Sequence, residues 1–360
     1  MASRSFRALL AEPRCVVAAG TLHSNTAWQE DSMTRLLVIA LIVMAIAMTG
    51  GVAATAQSGK LTLYTSQPDR DAAQTVEAFR KKHPSVEVEI FRSGTTEVMN
   101  KLLAEFTAGA PRPDVLLIAD AGSMERLKSE GRLLAHAAAD VTHLPGAAYD
   151  RDRTYFGTKL ITTGIMYHTA APKKPASWKD LAAPEARGQV VMPSPLYSGA
   201  AAIHMSALVG TPTLGPQYYE DLAKNGAVAV RGNGAVASSV AGGQKLYGII
   251  VDFMALNAKA KGSPVEFVFP VEGVTAVTEP VAILKAAKNL DAARAFVDFL
   301  LSPDGQTLAV KQGYLPARKD VTPPPGFPRV ETIKIIPVDI EAYLARDEAN
   351  KKRFAELFGG

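Results

Sequence analysis

A single cysteine, Cys15, occurs in 360 residues, so the chain lacks the material for a disulfide framework or a thiolate metal site. Charge of one sign is lacking as well. The 39 Lys and Arg stand against 35 Asp and Glu, and no Lys/Arg cluster is interleaved with aromatics, which sets nucleic acid aside as a partner. The catalytic signatures HExxH, GxSxG and GxxxxGK[ST] are absent, and no GxGxxG follows a strand. His83, His136, His143, His168 and His204 are scattered, with no i, i+4 pair to grip a metal from one helix. No paired carboxylates stand out for acid–base work, so nothing argues for an enzyme. What is present is ordinary globular composition, 48% hydrophobic and 21% charged, in a length that suits one large or two moderate domains.

The strongest apolar run, LLVIALIVMAIAM at 36–48, is shorter than the ~20 residues a membrane span needs. Arg35 precedes it, and Gly50-Gly51 and then Ala54-Thr55-Ala56 follow. This is the order of a secretory signal peptide, with cleavage expected after Ala56. The rival reading is a membrane anchor, because the uncharged stretch runs from Leu36 to Ala56. Met33-Thr34-Arg35 makes a proper short n-region, so the leader is expected at 33–56, with 1–32 upstream of the true start; the alternative is a disordered extension. Cys15 lies upstream of the cut, and no cysteine stands at it to carry a lipid. Loss of everything up to Ala56 takes away Arg4, Arg7, Arg14 and Arg35 with Glu12, Glu30 and Asp31, leaving a near-neutral chain. An exported, monomeric, periplasmic protein is expected.

Beyond the leader, short apolar segments alternate with helical patterns. LTLYTS, VEVEIFRS and DVLLIA read as strands, with helices between them and over 121–130. Extended segments are expected from Tyr155 to His168, then strand QVVM, helices near 199–209 and 215–225, strand VAVRGNG, strand LYGIIVD and helix 253–261. Such alternation predicts βαβ units and a largely parallel sheet, an α/β fold. VEGVTAVTEPVAIL breaks into two extended pieces at Glu279-Pro280, and Asp291 is the expected cap of the next helix. TPPPGFP reads as a stiff linker, and the amphipathic tail DIEAYLARDEANKKRFAELF is expected to dock on the globule.

One event recurs: a strand ends in a small polar or glycine-bearing loop that feeds a helix. It occurs at Thr65-Ser66-Gln67, Ser93-Gly94-Thr95-Thr96, Ser198-Gly199 and Asn233-Gly234. In a parallel α/β sheet such loops gather at the carboxyl edge of the strands, where ligands bind. Each helix start offers free N–H groups and a positive dipole end, and the hydroxyls add uncharged donors. Any one loop is satisfied by ordinary N-capping; four in two halves of the chain point to one anionic ligand. Asp252, after a buried strand, and Glu279, in the break before Pro280, are acceptors for a hydroxyl or amine on that ligand. For Asp252, capping of the following helix is the equal alternative. Tyr197 can stack on a ligand or close the core.

YTSQPD, FRSGTTEVMNKL, PDVLLIAD, GNGAVASSVAGGQ, LYGIIVDFMALNAKAKGSP, TEPVAI and SPDGQTLAVKQGYLPAR follow one another in the order seen in periplasmic solute-binding proteins of ABC importers. The chain resembles that superfamily over essentially all of its mature length, in particular the group holding ferric-ion, sugar-phosphate and phosphonate binders. The resemblance implies a two-lobed fold of the type II-like kind, with two crossover strands as hinge near 157–165 and 271–282. The lobes are expected as 57–160 plus 275–360, and 161–274. It further implies closure on a ligand and delivery to an inner-membrane permease. Ferric binders carry adjacent tyrosines where this chain reads Asp252-Phe253, and Phe253 has no phenolate. Tyr218-Tyr219 sits on an expected packing helix. The pattern is thus more similar to binders of phosphorylated sugars or phosphonates, with no cofactor; iron with a synergistic anion is the alternative, and an exported phosphatase the remote one.

Overall fold

Strand and helix alternate from the first described residue, and the computed structural model arranges them in two mixed sheets. The structure describes residues 59–328 and 330–359, which lie within one compact unit. The expected leader 33–56, the extension 1–32 and Cys15 lie outside the described residues. In chain order come β1 (Gly59–Thr65), α1 (Asp69–Lys82), β2 (Val86–Arg92), α2 (Thr95–Thr107), β3 (Val115–Leu117), α3 (Ala121–Ser129), β4 (Leu133–Leu134) and β5 (Tyr155–Gly157). A second run follows: β6 (Lys159–His168), β7 (Val190–Pro193), α4 (Gly199–Gly210), α5 (Gln217–Lys224), β8 (Val228–Val230), α6 (Asn233–Ala241), β9 (Tyr247–Val251), α7 (Asp252–Ala260), β10 (Val265–Val268) and β11 (Thr275–Val277). The chain then returns through β12 (Pro280–Leu284), α8 (Leu290–Leu301), α9 (Pro303–Lys311) and β13 (Leu315–Pro316), and closes with α10 (Ile340–Phe358).

Local chemistry explains the helices. α1 carries Asp69 and Asp71 in its first turn and Arg80, Lys81 and Lys82 in its last, each complementing the dipole end it sits on. Its apolar side, Ala72, Val76 and Phe79, is buried, with Phe79 edge-on to Phe296 of α8. Asn289 caps α8 by accepting from Ala292 N at 3.2 Å; Asp291, expected in that role, lies in the first turn instead. The run VLLI owes its unbroken hydrophobicity to burial on both faces of the first sheet. Val115 and Leu117 join a core with Phe79 and Phe296, while Leu116 and Ile118 face Val98 and Leu102 of α2.

The first sheet has the order β2-β1-β3-β12-β4, with β5 also on β12, and the second has β10-β6-β9-β7-β8, with β11 and β13 also on β6. β1 runs parallel to β2 and β3, and β7 to β8 and β9, as βαβ connections require. The expectation of largely parallel sheets fails at β12 and β6, which are antiparallel to their neighbours. Both strands enter their sheet from the other lobe and so arrive in the opposite sense.

The two lobes meet at adjacent crossovers, β5 to β6 through Thr158 and β11 to β12 through Thr278-Glu279. Thr158 N donates to Thr278 O at 3.0 Å, and Thr158 Oγ1 to Glu279 O at 2.8 Å. Gly157 permits this contact, since a Cβ there would lie 2.7 Å from Thr278 Cβ. Glu279 holds φ at 38°, a left-handed conformation that costs a side-chain-bearing residue about 1–2 kcal/mol. A third crossing was not anticipated: β13 pairs with β6, and the chain beyond it returns to the second lobe. There Ile336 and Phe354 join the core formed by Trp178, Met205 and Tyr219. The tail helix therefore docks on the second lobe, where the expected boundaries had placed 275–360 wholly in the first. The helix packs against α4 and α5, with Phe354 buried edge-on to Tyr219.

Candidate functional site

Between the lobes lies a cleft of about 300 Å³, reached by the ends of strands from both sheets. The first lobe contributes Ser66, at the end of β1, whose Oγ accepts from Ala119 N at 3.0 Å and ties the ends of β1 and β3 together. Gly94 and Thr95 open α2 at the cleft wall, and Arg92 closes β2 beside them. The second lobe contributes Ser198, which caps α4 by accepting from Ala201 N at 3.3 Å and also accepts from Asn233 Nδ2 at 3.2 Å. Asn233 begins α6 and takes Val251 N on its Oδ1 at 3.2 Å, so one side chain links three strand ends. Val251, Phe253 and Met254 carry the start of α7 to the same wall.

Four helices, α2, α4, α6 and α7, thus begin at one cleft and point the positive ends of their dipoles at it. Two guanidinium groups join them. Arg92 donates from Nε to Gln67 O at 2.7 Å and from Nη1 to Tyr197 Oη at 3.2 Å. Arg231 lies over the Tyr197 ring at 4.5 Å and pairs with Glu97 of the other lobe at 2.9 Å. The one carboxylate among the described residues of the cleft wall, Glu279, is 2% exposed and is ion-paired to Lys159 Nζ at 2.6 Å. Burial raises its carboxyl from the ordinary range, against the pull of that ammonium. Lys159 in turn lies over the Tyr314 ring at 4.1 Å, and Tyr314 donates to Asp71 at 2.8 Å, so the floor is a closed ladder of charges and rings. The cleft offers hydrogen-bond donors, with Phe253, Met254, Ile161 and Tyr314 as its apolar side.

Of the residues singled out in the sequence, Ser66, Gly94, Thr95, Ser198, Asn233 and Glu279 line the cleft. Five stand one layer back. Ser93 donates to Glu97, and Thr96 donates from Oγ1 to Pro195 O at 3.2 Å across the lobes. Gly199 packs where a Cβ would come 2.8 Å from Ala119 O of the other lobe. Gln67 buries its side-chain amide with no hydrogen-bond partner on either atom. Asp252 turns to the hinge strand, accepting from Thr162 N at 2.9 Å and Thr162 Oγ1 at 2.7 Å, and burial pushes its carboxyl up to about 7. It is a brace for β6 rather than a wall of the cleft. Tyr218 and Tyr219 are packed in the second-lobe core. Arg92 and Arg231 were missed, though a signal existed: each stands just before a glycine turn at a strand's end, in FRSG and VRGNG.

Two sheets joined by side-by-side crossovers around a polar cleft define a two-lobed periplasmic binding fold. The family model for bacterial extracellular solute-binding proteins matches residues 63–315, and the chain belongs to that family. It is a transport component that captures a solute, not an enzyme. Among its relatives, a probable ABC transporter periplasmic-binding protein of Sinorhizobium fredii is 24% identical over 297 residues, covering 79% of this chain and 82% of that one. The periplasmic binding protein AfuA of Actinobacillus pleuropneumoniae, solved with fructose-6-phosphate bound, superposes with a TM-score of 0.76 at 23% identity, over 83% of this chain and 98% of that one. Iron-bound HitA of Pseudomonas aeruginosa gives 0.70 at 21% identity, over 82% and 99%. No helix among the described residues is long and apolar enough to cross a membrane.

Proposed function

We propose that the protein is the periplasmic receptor of an ABC importer and captures a small phosphorylated solute, a sugar phosphate or a phosphonate, for its permease. The observation that carries this reading is the donor set of the cleft: four helix starts and two guanidinium groups face it. The carboxylates that meet Arg92 and Arg231, Asp69 at 3.5 Å and Glu97 at 2.9 Å, lie outside its wall, and the one carboxylate among the described wall residues is paired with Lys159. Ser66, Thr95 and Ser198 add hydroxyl donors for the phosphoryl oxygens, and Glu279 at the floor accepts from a hydroxyl or amine at the ligand's far end. Hydrogen bonds to a charged ligand contribute about 1.5–3 kcal/mol each. A few of them suffice for micromolar affinity, about −8 kcal/mol. The AfuA likeness supports the sugar-phosphate class, and the Sinorhizobium relative supports the importer setting.

Ferric binding is the weaker reading, because the position facing the cleft beside Asp252 is Phe253 and the Tyr218-Tyr219 pair is committed to packing. Native mass spectrometry of protein purified from the periplasm tests the proposal. A retained mass matching a phosphate ester or phosphonate is expected; a retained iron adduct or a polyamine mass overturns it.

A further inference from the structure

Inside the second lobe, behind its share of the cleft, lies a small cavity with about 10 Å³ of room for a water's centre. That is the space one water needs. Its polar lining includes Thr163 of β6, His204 of α4, Asn233 of α6 and Tyr219 of α5; Met192, Met205 and Phe354 supply apolar wall, and no charged side chain among the described residues lines it.

His204 is 2% exposed and held in place on one side by the Trp178 ring, centroids 4.6 Å apart. Its Nδ1 lies 3.0 Å from Thr275 Oγ1 on β11, which accounts for one ring nitrogen. Nε2 is buried and has no hydrogen-bond partner among the described residues. A neutral imidazole has one donor and one acceptor nitrogen, and buried polar atoms of this kind are bonded to protein or to ordered water. Burial pushes the ring's pKa down to about 3, in keeping with a neutral side chain. Asn233 has capacity left: Ser198 Oγ takes one of its two amide hydrogens, and Val251 N occupies one lone pair of Oδ1.

We propose that the cavity is a structural water site, in which one water joins His204 Nε2 to Thr163 and Asn233 and makes His204 a positioning residue for the cleft. The water closes a chain from β11 through Thr275, His204 and Asn233 to Ser198. A strand at the hinge is thereby connected to two of the second lobe's cleft residues. The function given to Asn233 rests on the cleft reading above; the water site does not.

A crystal structure of the ligand-free protein at a resolution that orders waters tests the site. One water within hydrogen-bond distance of His204 Nε2, Thr163 and Asn233 is expected. A cavity without density, or Nε2 bonded to a protein group, overturns the proposal. The positioning role is read from hydrogen exchange of the Asn233 side-chain amide by NMR, again without ligand. His204→Met is expected to speed that exchange several-fold, and His204→Gln, which keeps a polar atom at the cavity, to restore it. Equal exchange in His204→Met and wild type overturns the role. Should His204→Met not fold, the same comparison is made between wild type and His204→Gln, where exchange near the wild-type rate is expected and several-fold faster exchange overturns the role. No ligand enters any of these measurements, so their failure is separate from failure of the phosphate reading.

Discussion

Tyr197 of the second lobe accepts a hydrogen bond from Arg92 of the first at 3.2 Å, while Arg231 of its own lobe covers its ring at 4.5 Å. Its carbonyl also accepts from Thr96 N at 3.3 Å. One residue therefore clasps the lobes at the cleft, and the Arg231–Glu97 pair bridges them alongside. The lobes touch across the mouth of the cleft, and on the proposed reading ligand affinity depends on how readily this clasp forms.

Gly94 makes that closure possible, because a Cβ there would lie 2.4 Å from Tyr197 O. The clash is between lobes and vanishes when they part, and φ of −63° suits alanine locally. Gly94→Ala is expected to weaken fructose 6-phosphate binding at least about tenfold, or ~1.4 kcal/mol. The thermal midpoint without ligand stays near wild type. Calorimetry and small-angle scattering check this, the variant remaining more extended in excess ligand.

Arg231 is exposed, and so is its partner Glu97, so the pair contributes at most about 1 kcal/mol to stability. On the proposed reading its weight falls on the anion instead. Arg231→Gln is expected to lower affinity for a phosphate ester roughly tenfold, within the range for one charge-assisted bond. The variant's affinity also becomes less sensitive to salt, which titration at two ionic strengths checks.

Asp252 gives the stability a pH signature. Burial raises its folded-state pKa to about 7, above the ordinary value near 3.9. The folded state then holds a proton that the unfolded state has lost. The group's stabilisation is complete below about pH 4 and disappears as pH rises through 7. Asp252→Asn removes this dependence, so its thermal midpoint relative to wild type is expected to rise between pH 5 and pH 7.5. A constant difference across that window contradicts the assignment.

Tyr343 of α10 donates to Asp120 Oδ2 at 3.0 Å, joining the helix seated on the second lobe to the cap of α3 in the first. The ring lies so near Gly122 that a Cβ there would meet it at 2.3 Å. Tyr343→Phe removes a bond to a buried carboxylate, expected to cost about 1.5–3 kcal/mol of stability. It also loosens a contact between lobes that no ligand makes, so scattering of the ligand-free variant is expected to show a larger radius of gyration.

The local grammar of strand, polar loop and helix start was legible, because capping and hydrophobic period are properties of neighbouring residues. Ser66, Gly94, Thr95, Ser198 and Asn233, picked out that way, line the cleft, and Glu279-Pro280 stands at a crossover between the lobes. Which residue of each loop faces the cleft was not legible. Thr95 and Thr96 are adjacent, yet one lines the cleft and the other bonds Pro195, a choice set by how the second lobe packs on α2. Asp252 is at the right strand end, but its carboxylate is taken up by Thr162 of β6 and by Phe253 N, which donates to its Oδ1 at 2.7 Å. Arg92 and Arg231 escaped a search for basic clusters because they are far apart in the chain and meet only around Tyr197. The antiparallel β12 and the seat of α10 depend on the crossings between lobes, which leave no local pattern.

Titration calorimetry with fructose 6-phosphate, 2-aminoethylphosphonate, fructose, spermidine and ferric citrate, under one set of conditions, tests the central claim most directly. Micromolar or tighter binding of a phosphorus-bearing anion is predicted, with no heat from the neutral sugar or the polyamine. Saturable binding of spermidine or iron, with none of either phosphorus compound, would contradict it.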